Sequence, residues 1–121
     1  MKALVLALLL LPLTAIAQYE DHPDQQRLWE LMQNVAPSYE MLSACGRDYT
    51  AGLVYDDVKN AIAAIVQDRR DIDIAMQMWS EAKMRAAVQY HDTIRTLSRN
   101  PDGKLCNDLE NEVIQIMGAG V

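Results

Sequence analysis

Few side chains in this sequence are equipped for chemistry. The 121 residues include two cysteines, Cys45 and Cys106, two histidines, His22 and His91, and seven methionines. Cys45 with His91 is the pair that could act as nucleophile and base. Each cysteine has the other as a partner, however, and the export signal described below favours oxidation. Cys45–Cys106 therefore reads as one disulfide. The alternatives are two free thiols or a bridge to another chain. By the chain-entropy argument, closing so long a loop contributes about 4 kcal/mol.

The histidines make a weak metal site, because neither stands in an HExxH, ExxH or HxH spacing. Covalent haem attachment needs CxxCH, which is absent. His91 with Met32 or Met41 could still ligate haem between helices, but methionines on apolar helix faces usually fill the core. Met76-Gln77-Met78 would present two thioethers to one ion only on a strand. On a helix, residues two apart point about 200° away from each other, which predicts Met76 in the core and Met78 partly exposed. Asp56-Asp57 and the set Asp68, Asp71 and Asp73 lack the glycine and terminal glutamate of an EF-hand and read as solvated surface. No metal, no cofactor and no catalysis are expected.

One polar-aromatic cluster follows Cys45. Arg47, Asp48 and Tyr49, with Tyr55 nearby, form a candidate recognition surface. A loop carrying a stacked tyrosine is the simpler reading of the same residues.

The stretch from Tyr49 to Asn100 must position most of these groups. Val54, Val58, Ala61, Ile62, Ile65 and Val66 follow a 3.6-residue period. Ile72, Ala75, Met76, Trp79, Ala82, Ala86, Tyr90, Ile94 and Leu97 continue it in steps of three and four. A single helix here would be about 70 Å long, at 1.5 Å per residue, and so short a chain could not cover it. A break is expected between Gln67 and Asp73, with Asp71 or Asp73 capping the next helix. Doubling back there would let Cys45 and Cys106 meet, since a disulfide needs Cα atoms within about 7 Å.

Before this stretch, Leu28, Leu31, Met32 and Val35 predict a helix from Asp24 to Val35, with Pro23 suited to its first turn. Pro37 ends it or starts the next. A short helix from Ser38 to Cys45 follows, closed by Gly46, and Asp48 or Thr50 caps the next. After the stretch, Asn100-Pro101-Asp102-Gly103 is a turn and Asp102 caps a last helix with Leu105, Cys106, Leu109, Val113 and Ile116 on one face. Gly118 to Val121 reads as a loose tail. The expected fold is all-α: a small disulfide-stapled helical bundle of four main helices and one short helix.

The chain opens with Met1-Lys2, an apolar run from Ala3 to Leu11, and Ala15-Ile16-Ala17. This is the pattern of a signal peptide cleaved after residue 17. The run is too short to span a bilayer, which takes about 20 residues. Removing it leaves residues 18–121 as one helical domain, with the polar start Gln18 to His22 frayed. Losing Lys2 moves the net charge from −6 to −7. Such an acidic surface argues against nucleic acid and anionic membrane; short basic spots at Arg69-Arg70 and from Arg95 to Lys104 do not reverse it. A small periplasmic or secreted module is expected, acting by binding another exported protein as a chaperone-like, inhibitor or accessory subunit. The alternative is a bundle that holds a small ligand or haem.

Overall fold

The structure is a computed structural model and describes residues 23–66 and 68–119. The expected signal peptide and the polar start through His22 lie outside the described residues. Five helices and no strand are found among the described residues: α1 (Pro23–Ala44), α2 (Asp48–Ile65), α3 (Arg69–Gln89), α4 (His91–Arg99) and α5 (Lys104–Ala119). The all-α bundle and its disulfide agree with the sequence reading, but the helices are divided differently.

The first difference is at Pro37. The expected pair of helices is a single 22-residue helix, with Pro37 inside it. An interior proline lacks an N–H and crowds the carbonyl four residues earlier, at a cost of about 3 kcal/mol or more. Packing outweighs that cost. Leu28, Met32, Ala36, Leu42 and Cys45 are buried on both sides of the proline, and each large apolar side chain so buried contributes about 1.5–3 kcal/mol. All four other helices pack on α1. It is the axis of the bundle, a role the periodicity had suggested for the later stretch.

Gly46 ends α1 as expected, at φ +70°. Its N–H donates to the Ser43 carbonyl at 3.0 Å, and the Arg47 N–H to the Leu42 carbonyl at 2.9 Å. These are the two bonds of a Schellman motif, in which a left-handed residue is needed. Neither Asp48 nor Thr50 caps α2, whose N-cap residue is Arg47 without a side-chain bond. Asp48 lies one position inside, where its charge suits the helix dipole, and Thr50 is engaged elsewhere.

The chain leaves α2 at Val66, which is extended, and Asp68 accepts a hydrogen bond from the Arg70 N–H at 3.1 Å. The expected break is present, but its cap is Asp68 rather than Asp71 or Asp73. Asp68 alone has the extended backbone that lets a carboxylate reach the second amide of the new helix. The two arms α2 and α3 both lie on α1, and Tyr55 is stacked on Trp79 between them, with centroids 6.1 Å apart.

A second, unexpected break falls at Tyr90. It separates α3 from α4, so the short helix of the bundle is α4 rather than Ser38 to Cys45. No glycine or proline marks it. It redirects the chain so that buried Leu97 packs with Cys45 and Cys106. Downstream, the Asn107 N–H bonds to the Gly103 carbonyl at 3.2 Å, while Asp102 is exposed. Gly103, not Asp102, occupies the capping position before Lys104, and α5 runs on through Gly118 and Ala119 instead of ending in a loose tail.

The main core joins α1, α2 and α3 around Trp79, which Tyr39 meets edge-on at 5.4 Å. On α3 the buried face is Ala75, Met78, Trp79, Ala82 and Ala86. Met78 is therefore fully buried and Met76 only partly so, the reverse of the expected order. Ile72 is exposed for the same reason: the face keeps Ala75, Trp79, Ala82 and Ala86 but its centre is turned by about 40°, less than half of one residue step.

Candidate functional site at the staple pole

Three elements converge at the end of the molecule opposite the main core. Cys45 follows the last turn of α1, Cys106 lies in the first turns of α5, and Leu97 is near the end of α4. The two cysteines are bonded, with Cα atoms 5.7 Å apart and a sequence separation of 61, and both are buried. The Cys106 sulfur sits 3.7 Å from the Leu97 carbonyl. An oxidised sulfur has no proton to donate, so this is a packing contact.

Beside the staple, a polar clamp ties the start of α2 to α5. Buried Thr50 donates to Glu110 Oε2 at 2.7 Å. Arg47 donates to Glu110 Oε1 at 3.4 Å, to the Pro101 carbonyl at 3.3 Å and to Asn107 Oδ1. The four residues proposed from sequence as a recognition surface are therefore not gathered in one place. Arg47 belongs to the clamp. Tyr55 lies eight residues further along α2, about 12 Å away, within the aromatic cluster formed with Tyr39 and Trp79. Asp48 and Tyr49 remain on the outer side, and Tyr49 is 82 % exposed. Sequence reasoning missed Thr50, Asn107 and Glu110. The available signal was that Cys106, Glu110, Val113 and Met117 recur at helical spacing, which makes Glu110 part of the inward face of α5.

An open groove of about 440 Å³ lies where α4 and α5 meet the end of α1. It is lined by Met41, Leu97, Leu105 and Leu109, the hydroxyl residues Thr93 and Thr96, and the carboxylate of Asp92. This volume is within the ~300–1,000 Å³ range of small-molecule sites. The apolar lining does not stop at the groove. Leu105, Leu109, Glu112 and Ile116 share one face of α5, at i, i+4, i+7 and i+11. Leu105 is 63 % and Ile116 66 % exposed. A second hollow, of about 540 Å³, lies along α3 at Met76, Gln77, Ser80, Glu81 and Met84.

Of the candidate haem ligands, Met32 is fully buried in the main core and His91 is exposed at the start of α4, 3.5 Å from Asp92. The structure does not bring these two together. Met41 lines the groove, as does Asp92, the residue after His91. Among the described residues, no group of three or more histidine, cysteine, aspartate or glutamate side chains is placed to hold a metal. No helix among them is long and apolar enough to cross a membrane. Compared with family models, with curated proteins and with solved structures, the chain matches none.

Proposed function

We propose that this chain is a small exported helical module that works by binding another protein, and that it does so at the staple pole. The observation that carries the reading is the apolar surface running from the groove along α5, in which Leu105 and Ile116 are each about two-thirds exposed. Exposed apolar side chains that continue the lining of a groove mark interaction sites. The staple and the clamp hold the helix that bears it, so the surface is presented preformed, which lowers the ordering cost of binding. Export is supported by the Lys2, Ala3–Leu11 and Ala15-Ile16-Ala17 pattern together with the oxidised cysteine pair. On this reading residues 18–121 form the mature domain, in the periplasm or the extracellular medium. The role is that of a chaperone-like, inhibitor or accessory subunit rather than a catalyst.

The test is affinity capture from the exported fraction of the native source, with the mature chain and a Leu105→Asp variant as parallel baits. A protein retained by the first and lost by the second supports the reading. Identical captures by both baits, or none by either, would overturn it.

A second reading is favoured by the volume and lining of the groove. It would take a small apolar ligand between Met41, Leu97, Leu105 and Leu109. Native mass spectrometry of the purified protein separates the two, because a retained small molecule adds a discrete mass.

A further inference from the structure

We propose that the occupant of this surface is a basic amphipathic helix, a proposal that rests on the protein-docking reading of the groove. The first argument is shape. From Leu105 to Ile116 the apolar line on α5 runs for about 16 Å, three helical turns at 5.4 Å each. A compact ligand would occupy only the groove end. A helix laid along the line would set anchors spaced three and four residues apart against Leu105, Leu109 and Ile116, the usual helix-in-groove arrangement.

The second argument is charge. Asp92 stands on the α4 side and, among the described residues, is the one charged residue lining the groove. On α5, Glu112 stands within the apolar line and Asp108 borders it. Both are exposed, and among the described residues neither has an ion-pair partner. The exposed cations Arg95 and Arg99 lie two residues either side of Leu97 and leave α4 on the side away from it, at i+3 and i+7 from Asp92, so the anionic character of the surface rests on α5. Lys104 marks one end of the line. Its middle and its opposite rim are anionic, on a chain of net charge −6. The unpaired carboxylates of Asp108 and Glu112, at the edge and in the middle of the apolar seam, select cationic residues in a partner.

The same charges disfavour a second copy of this chain. Two α5 helices paired antiparallel along the line would bring Asp108 and Glu112 of both copies into one middle stretch, and such like-charge juxtaposition is strongly unfavourable.

The test uses the mature chain and two fluorescent helical peptides of about 18 residues, five turns. They share a leucine face, and the other face is lysine in one and glutamate in the other. Fluorescence anisotropy should show the Leu/Lys peptide binding at least about tenfold more tightly than the Leu/Glu peptide. The triple variant Asp92→Asn, Asp108→Asn, Glu112→Gln should reduce that preference about tenfold. Leu105→Ser with Ile116→Ser should remove binding, while Ile114→Ser, on the other side of α5, should leave it unchanged. Because these side chains are exposed, near-UV circular dichroism should report an unaltered fold for each variant.

Equal affinity for the two peptides would overturn the charge argument and leave the docking reading standing. Binding of the Leu/Lys peptide that ignores Leu105→Ser and Ile116→Ser would overturn the proposed place. Absence of binding to either peptide would overturn the helical occupant. Concentration-dependent dimerisation abolished by Leu105→Ser would make the occupant a second copy instead.

Discussion

Thr50 donates its hydroxyl to Glu110 Oε2 at 2.7 Å, joining helices whose residues are 60 apart in sequence. Thr50 is 3 % exposed, so it has no water to fall back on. Glu110→Ala removes its acceptor and one partner of Arg47 together. The expected loss is about 1–3 kcal/mol, the penalty for an unsatisfied buried donor. Thr50→Val should cost less, because the remaining carboxylate keeps Arg47 and is partly open to water. Urea denaturation of both single variants and of the pair would give the coupling energy. Additive effects would mean that the two side chains do not act as a unit.

Replacing both cysteines with serine should lower stability by about 2–4 kcal/mol, the usual effect of a disulfide closing a long loop. The loss should be local before it is global. Beyond the staple, α5 is held by the clamp and by the small cluster of Leu42, Ala51, Val54 and Val113, whereas α1, α2 and α3 share the larger core. Hydrogen exchange should therefore show α5 amides losing protection first. Equal loss of protection in all five helices would contradict this.

Pro37→Ala restores a backbone donor inside α1 and removes the ring from the path of the Gln33 carbonyl. Alanine also has the higher helix propensity, and the gain is partly offset because proline restricts the unfolded chain. The net expectation is a stabilisation of about 1–2 kcal/mol, read as a higher urea midpoint. A loss would mean that packing around α1 is adapted to the geometry that proline imposes.

Burial holds the Glu40 carboxyl above its ordinary value of 4.5, while the charge of Lys83 pulls it the other way. A carboxyl raised in the fold binds its proton more tightly there than in the unfolded chain. Its stabilising contribution is therefore complete below about pH 4.5 and is lost as the pH climbs through the raised value. Glu40→Gln stays neutral. It should flatten the stability profile just above pH 4.5 and leave the protein no less stable at pH 7. Thermal melts between pH 4 and 7 would check this, and an unchanged profile would exclude Glu40 as a source of the pH dependence.

What could be read in advance was set by local chemistry. Gly46, the polar run around Asp68 and the Asn100–Gly103 turn each carry their instruction within a few residues, and Cys45 with Cys106 could be paired because each was the other's available partner. What could not be read depended on distant partners. Pro37 is a helix breaker by every local rule, and only the burial of Leu28 and Met32 on one side and Leu42 on the other explains why the helix continues. Tyr90 carries no breaking signal, and the bend there follows from the need to bring Leu97 to the staple. Met76 and Met78 exchanged places because periodicity gives the width of an apolar face better than its centre. The groove exists only where α4 and α5 meet, so no stretch of sequence could announce it. The Arg47–Tyr55 cluster divided for a related reason: neighbours in sequence were claimed by different packing partners, Glu110 for one and Trp79 for the other.

Trp29 and Trp79 both belong to the core of α1, α2 and α3, and neither lies in the two smaller clusters near the staple. Intrinsic fluorescence is therefore a one-sided witness. Reduction could free the last helix while both indoles stay in the same surroundings, and the emission spectrum would record nothing. Melting curves followed by fluorescence and by far-ultraviolet ellipticity should then part company under reducing conditions and coincide under oxidising ones.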